Sequence, residues 1–390
     1  MLDFSFISPT QFAFGRGAQE KAGELCRALG QKALLHYGGG SVIKSGLLGQ
    51  IRESLLKAGV SFVELGGVQP NPRDTLVYEG VALCRKERVD VVLAVGGGSV
   101  IDSAKAIALG AKYGGDFWDF YSGRQTVKEV LPLGVVLTLP AAGSEASNST
   151  VINKEAGMLK RFCDSDLLRP KFAILNPELT FTLPPFQTAC GVTDIMAHVM
   201  ERYFTNTKGV DLTDRLCEGV LHSMIRNARI VLKNPRDYDA RANIMWGGVI
   251  AHNDVLGVGR QQDWSTHMIE HELSGLYDVA HGAGLAVIFP AFLKYQYRHN
   301  VMRAAQFAVR VFDCEMDFEN PELTALEGIA RLEAFYCEIG MPTSFAELGA
   351  KEEDIPLLSG KVLLNNGDKL GYFHPLTRTD IAGVYRYACK

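Results

Sequence analysis

Through the first 180 residues, short apolar runs rich in β-branched side chains alternate with helical patterns, and that alternation leaves few folds open. The runs are KALLHY at 32–37, SFVEL at 61–65, DVVLAV at 90–95, VVLTLP at 135–140 and FAIL at 172–175. Between them, Ser45 to Lys57, Asp74 to Lys86 and Ser99 to Ala111 carry apolar residues at three- and four-residue spacing, which predicts amphipathic helices with Ser45 and Ser99 as N-caps. Strands that are each followed by a helix pair in parallel, so the expectation is an α/β layer structure, a mostly parallel sheet wrapped by helices.

The pattern changes at Leu183-Pro184-Pro185, where two prolines end regular structure on their N-terminal side. Beyond it the strands thin out and long helical patterns take over: Asp194 to Phe204, Asp211 to Leu232, Asp239 to His252 and Asn300 to Phe312. A length of 390 residues suits two or three domains. The expected division is 1–183, α/β, and 184–390, all-α.

Composition excludes several classes of function. Hydrophobic residues at 47% and charged residues at 22% are those of an ordinary soluble globule. A net charge of −4 argues against nucleic acid or an anionic membrane as the main partner. The opening MLDFSFISPTQFAFG lacks a basic n-region, and no stretch of about 18 apolar residues could span a bilayer, so a cytoplasmic location is expected. The eight cysteines contain no C-x-x-C pair and read as reduced core thiols.

Two glycine triplets carry the first chemical signal. Gly96-Gly97-Gly98-Ser99 follows DVVLAV and opens a helix, which lets backbone N–H groups and the positive helix end approach a phosphate. Gly38-Gly39-Gly40-Ser41 repeats the arrangement after KALLHY, so two strand ends could together hold a dinucleotide. Neither run is G-x-G-x-x-G, and either alone also fits a tight strand-to-helix turn. Asp102 could contact such a ligand or cap its own helix. Between Lys32 and Gln50 there is no Asp or Glu to receive a ribose 2′-hydroxyl, whereas Gly39 and Ser41 can donate to a 2′-phosphate and Lys44 adds positive charge. That favours NADP(H) over NAD(H).

The second signal is a set of metal-type ligands. Asp194 and His198 are four apart on a predicted helix and leave one face together. His267, His271 and His281 place three imidazoles within fifteen residues of a chain holding nine. Three histidines and a carboxylate suit Fe(II) or Zn(II). The bland alternative is a set of unrelated helix histidines. Those at 36, 222, 252, 299 and 374 have no such grouping and read as structural.

These segments, with QPNP at 69–72, TLPAAGSEAS at 138–147 and NPELTFTLPP at 176–185, resemble the iron-containing, group III alcohol dehydrogenases over essentially the whole chain. That family is related to the dehydroquinate synthase and glycerol dehydrogenase folds. Within it the chain looks most like the NADPH-dependent butanol dehydrogenases and broad aldehyde reductases, which share YGGGSV at 37–42 and QDWSTHMIEHELS at 262–274. The resemblance implies a Rossmann-like, dehydroquinate synthase-like N-terminal domain that binds a dinucleotide and a helical C-terminal domain that binds metal. It implies metal ligation by Asp194, His198, His267 and His281, with His271 an unligated neighbour of the nicotinamide. It implies coenzyme contacts from Gly38, Gly39, Gly40, Ser41, Asn71, Gly97, Gly98, Ser99, Asp102, Thr138, Asn148, Lys160 and Leu179. Many relatives have Thr where this chain has Ala142, so any bond from that hydroxyl is absent or replaced.

The expected reaction is reversible hydride transfer between NADP(H) and an aldehyde or primary alcohol such as butanal or butanol, in a cleft between the domains, with the metal polarising the oxygen and His271 passing a proton. A rival reading takes His267-Met-Ile-Glu270-His271 as H-x-x-E-H, an inverted zincin motif with Glu270 as the base of a peptidase. Others are a synthase that borrows its coenzyme transiently and a binding protein with both sites vestigial. The strand-like TQFAF could pair with a second copy, so a homodimer is expected. Pocket shape, and with it the preferred substrate, rests on residues such as Trp246, Asn253 or Phe292 that sequence alone does not place.

Overall fold

A computed structural model of the chain describes residues 1–364 and 367–390. Its strands are β1 (Gln11–Phe14), β2 (Lys32–Gly38), β3 (Ser61–Val68), β4 (Val91–Gly97), β5 (Leu133–Leu139), β6 (Ser149–Lys154), β7 (Leu159–Asp164) and β8 (Phe172–Leu175). Six of them form one sheet in the order β1-β8-β5-β4-β2-β3, with every neighbouring pair parallel. Central β4 reads as an unbroken apolar run because helices cover both faces of the sheet. Its pleat splits the core accordingly: Val92 and Ala94 pack on one side, Val91, Leu93 and Val95 on the other.

The helix Gly98–Ala111 continues directly from β4 and packs on the helix Asp74–Glu87 and on β6. The antiparallel hairpin β6–β7, with Val151 opposite Phe162, is absent from the sequence expectation. Its strands STVINK and LKRFCD mix charge with apolar residues, so neither shows clean alternation.

The chain divides into two compact units. One comprises Ile7–Leu183 with Arg236–Val249; the other comprises Met1–Phe6, Pro184–Pro235 and Ile250–Lys390. The expected limits of 1–183 and 184–390 are therefore departed from twice. Arg236–Val249 joins the sheet unit because Met245 and Val249 enter its core and Trp246 meets Phe12 and Phe14 edge-on, at 5.4 and 6.2 Å between ring centres. Met1–Phe6 joins the helical unit, the Met1 amine donating to the Lys208 carbonyl at 2.7 Å and the Leu2 N–H to that of Gly259 at 2.8 Å.

The helical unit is built on the helix Pro185–Tyr203, whose first residue is the proline that fits an N1 position. From Thr188 onward it is buried nearly all round, against the helices Asp211–Lys233 and His281–Gln296. Its approach to the latter is close: a Cβ at Gly282 would run into the Cys190 carbonyl. Among the described residues no helix is long and apolar enough to cross a membrane.

Candidate active site

In the sheet unit, the chain leaves β2 toward β3 and leaves β4 in the opposite direction, toward β5. The carboxyl ends of β2 and β4 therefore form the switch point at which open parallel sheets take ligands, and both glycine triplets lie there. The glycines differ in what they do. A Cβ at Gly96 would collide with Val100, and one at Gly97 would meet Leu139 at 3.1 Å, so these two are needed for packing. At Gly39, Gly40 and Gly98 a Cβ would meet nothing within 4 Å, and none of the three has a positive φ. Neither packing nor backbone strain explains them, and the space they leave would admit a ligand.

Gly97 caps the helix Gly98–Ala111 in extended conformation without any side-chain bond, leaving its first N–H groups for an anion. Ser99 is thus not the N-cap, because β4 runs straight into the helix through Gly97. Ser45 is not one either: Gly46, at φ 77°, caps the helix Leu47–Lys57.

Other expected coenzyme residues also follow strand ends. Thr138 lies near the end of β5, and Leu179 in the turn Pro177–Thr180 after β8. Asn71, at φ 53°, follows β3 and its Oδ1 accepts from Lys160 Nζ on β7 at 3.3 Å, which unites two expected contacts 89 residues apart. Asn148, just before β6, accepts from the Ser165 N–H at 2.9 Å. Asp102 does not cap its own helix. Its carboxylate takes the Ser144 hydroxyl at 2.6 Å and the Val151 N–H at 3.1 Å, tying helix to hairpin. One turn on, fully buried Lys105 donates to the carbonyls of Ser147 and Ser149 at 2.9 and 2.7 Å. Burial brings its ammonium down to about 8 and pushes the nearby Glu145 carboxyl up to about 7.

In the helical unit, the helix Pro185–Tyr203 supplies Asp194 and His198, the helix Ser265–Tyr277 supplies His267 and His271, and His281 opens the helix His281–Gln296. Donor atoms of Asp194, His267 and His281 all lie within 4.8 Å of one another. His198 Nε2 stands 3.3 Å, and His281 Nε2 3.8 Å, from Asp194 Oδ1. The His198 and His267 rings are 4.5 Å apart between centres. Asp194 Oδ1 and His267 Nε2 are buried and have no hydrogen-bond partner among the described residues. Each such atom costs about 1–3 kcal/mol unless something else takes it, and a divalent cation fits this oxygen-and-nitrogen set. Burial, and then the charges of His267, Arg202 and His281, hold His198 well below the usual histidine range, in the neutral form that ligates metal. His271 sits beside this group: its donor atom is within 4.8 Å of those of Glu270 and His281.

Several roles here escaped the sequence reading, which passed over Glu201 and took Glu270 as the base of a peptidase. Buried Glu201 accepts from the His267 ring Nδ1 at 2.8 Å, and equally buried Glu270 accepts from the His281 ring Nδ1 and from Ser274 Oγ. Glu270 is thus engaged with an imidazole and closed to solvent, which removes it as the base of a peptidase. His252, read from sequence as structural, lies 4.1 Å from His198 between ring centres, and Trp264 5.4 Å. Fully buried Arg202 lies over Trp264 and donates to the His198 carbonyl at 2.9 Å. The spacing Asp194, His198, Glu201 puts Glu201 on the ligand face of its helix, a signal that was available.

The chain is similar to proteins of one family over nearly its whole length. The family model for iron-containing alcohol dehydrogenase matches residues 9–177, and that for the C-terminal part of the Fe-containing alcohol dehydrogenase family matches 188–389. The chain is 42% identical over 386 residues, 99% of each chain, to a probable NADH-dependent butanol dehydrogenase of Bacillus subtilis. It is 36% identical over 391 residues, the whole of both chains, to the NADPH-dependent aldehyde reductase YqhD of Escherichia coli. The crystal structure of NADH-dependent butanol dehydrogenase A from Thermotoga maritima superposes with a TM-score of 0.97 at 40% identity, covering 100% of this chain and 99% of the other.

Proposed function

The chain belongs to the iron-containing alcohol dehydrogenase family, and on that premise we propose that it is a metal-dependent oxidoreductase interconverting butanal-sized aldehydes and primary alcohols with NADP(H). The coarser activity, NAD(P)-dependent alcohol and aldehyde oxidoreduction, is common to the relatives by name. The observation that carries the proposal is the convergence of Asp194, His267 and His281 on one space, with a buried oxygen and nitrogen left unpartnered.

The four residues Asp194, His198, His267 and His281 would hold the cation, Fe(II) or Zn(II). When bound, the cation supplies positive charge to the substrate oxygen and the coenzyme supplies or takes the hydride. The protein's share is positioning. The glycine-lined ends of β2 and β4 receive the phosphates, with Ser41 and Ser99 donating. Asn71, Lys160, Asp102, Thr138, Asn148 and Leu179 define the rest of the coenzyme path. The surrounding burial keeps water from competing for the substrate oxygen. His271 hands a proton to that oxygen as the alcohol forms.

Phosphate-state preference is argued from the end of β2. No carboxylate stands between Lys32 and Gln50 to repel a 2′-phosphate, and Gly39, Ser41 and Lys44 offer donors and charge. This supports NADPH, although the Bacillus relative is named for NADH. Free cysteines throughout suit a reducing compartment, which favours the cytoplasm. Edge strand β1, paired among the described residues to β8 alone, suits a homodimer.

The test is an aldehyde panel run on chelated enzyme after re-addition of Fe(II), Zn(II) or nothing, with NADPH and NADH compared. Expected are loss of turnover on chelation, recovery with one of the two metals, and higher kcat/KM with NADPH. Full turnover without metal refutes the metal role, and higher kcat/KM with NADH refutes the coenzyme preference. Product formation without net NADPH loss marks synthase chemistry instead.

A further inference from the structure

We propose that Glu201 and Glu270 are positioning residues that fix His267 and His281 in the tautomer whose Nε2 faces the cation. The inference rests on the metal reading above. A neutral imidazole carries one proton, on either nitrogen, and only the bare nitrogen can ligate. A carboxylate can only accept, so a carboxylate against Nδ1 requires the proton to be there and leaves Nε2 bare. Both histidines meet that condition: His267 Nδ1 faces Glu201 Oε1 at 2.8 Å, and His281 Nδ1 faces Glu270 Oε2. Consistent with this, His267 Nε2 is a buried atom with no hydrogen-bond partner among the described residues.

Each carboxylate is itself held. Glu201 also takes the Thr266 hydroxyl, the His267 N–H at 3.0 Å and, on its other oxygen, the Trp264 N–H at 2.8 Å. Trp264 adopts φ 68°, the left-handed turn that precedes the helix Ser265–Tyr277. One carboxylate on the helix Pro185–Tyr203 thereby fastens the start of the helix that carries His267. Glu270 reaches from the middle of that helix to the first residue of the next. Room for it comes from Gly284, where a Cβ would lie 2.8 Å from Glu270 Cγ and 3.0 Å from Cδ. His198 is set differently: its Nδ1 has no hydrogen-bond partner, and the rings of His252 and Trp264 pack on it. Two imidazoles are thus oriented by buried anions and the third by packing.

The test uses full-length protein stripped of metal and titrated with Zn(II) against a fluorescent chelator, for the wild type, Glu201→Gln and Glu270→Gln. An amide at 201 would set its NH2 against the Trp264 N–H, and neither amide brings the negative charge that favours Nδ1–H. Thermal melting of the metal-free proteins controls for folding. The expected result is one tight site in the wild type and a dissociation constant 10- to 100-fold weaker in both variants, at roughly unchanged metal-free melting temperature. Variants that bind zinc as tightly as the wild type overturn the inference while leaving the metal site standing. A wild-type chain that takes up no zinc or iron overturns both. Should Glu201→Gln not fold, Glu270→Gln on the other imidazole decides in its place.

Discussion

At the scale of single residues, the glycines after β2 and β4 separate into two kinds that look identical in the sequence. Gly96 and Gly97 are small because Val100 and Leu139 stand against them, whereas Gly98 faces open space at the first position of a helix. Gly98→Ala should therefore leave the melting temperature unchanged or slightly higher, since alanine is the better helix former, while raising KM for the coenzyme about tenfold or more. Steady-state kinetics with a parallel melt decide it; a lower melting temperature with an unchanged KM would assign the glycine to packing. The ligand set was legible for a comparable reason. Asp194 and His198 sit one helical turn apart, and histidine is scarce enough that three in fifteen residues stand out. Glu201 was passed over although it shares the ligand face, because glutamates on helices ordinarily face water and its partner is 66 residues away, and Glu270 was read only as the base of a peptidase.

At the scale of elements, the helix Gly98–Ala111 does more than present its N-terminus. Asp102 and Lys105 bind the segment that leads from β5 into the hairpin β6–β7, with Glu145 buried in the same segment. Burial raises the Glu145 carboxyl from 4.5 to about 7, so the fold binds its proton more tightly than the unfolded chain does. Its contribution is complete below about pH 4.5 and is lost as pH rises through about 7. Stability should decline across that window, and Glu145→Gln should flatten the decline; melting temperatures at half-unit steps from pH 4.5 to 7.5 give the readout, and an unaltered slope would count against it. The inner parallel strands β2, β4, β5 and β8 were readable because they are largely buried and read as plain apolar runs. The hairpin was not, since its charged residues break the alternation.

At the scale of the whole molecule, the Pro-Pro break marked where the sheet-forming pattern ends, and the chain does change unit there. The return of Arg236–Val249 to the sheet unit was hidden, because a helical pattern announces a helix but not which partner it packs against. A fragment of residues 1–183 should consequently be much less stable than the sheet unit in the intact enzyme, lacking the Met245 and Val249 side chains that complete its core and the Trp246 ring against Phe12 and Phe14. Urea melts of that fragment, with and without a synthetic 236–249 peptide, test this; cooperative unfolding of the bare fragment at the midpoint seen for the full chain would refute it. The same interleaving bears on biosynthesis. A ribosome that has released the last strand of the sheet has still to translate more than sixty residues before the covering turns exist, and the helical half must wait for the final residue although its opening segment was made first. The sheet half is complete once residue 249 is made, well before the helical half, so the nascent polypeptide must shelter an unfinished sheet core past the midpoint of its synthesis.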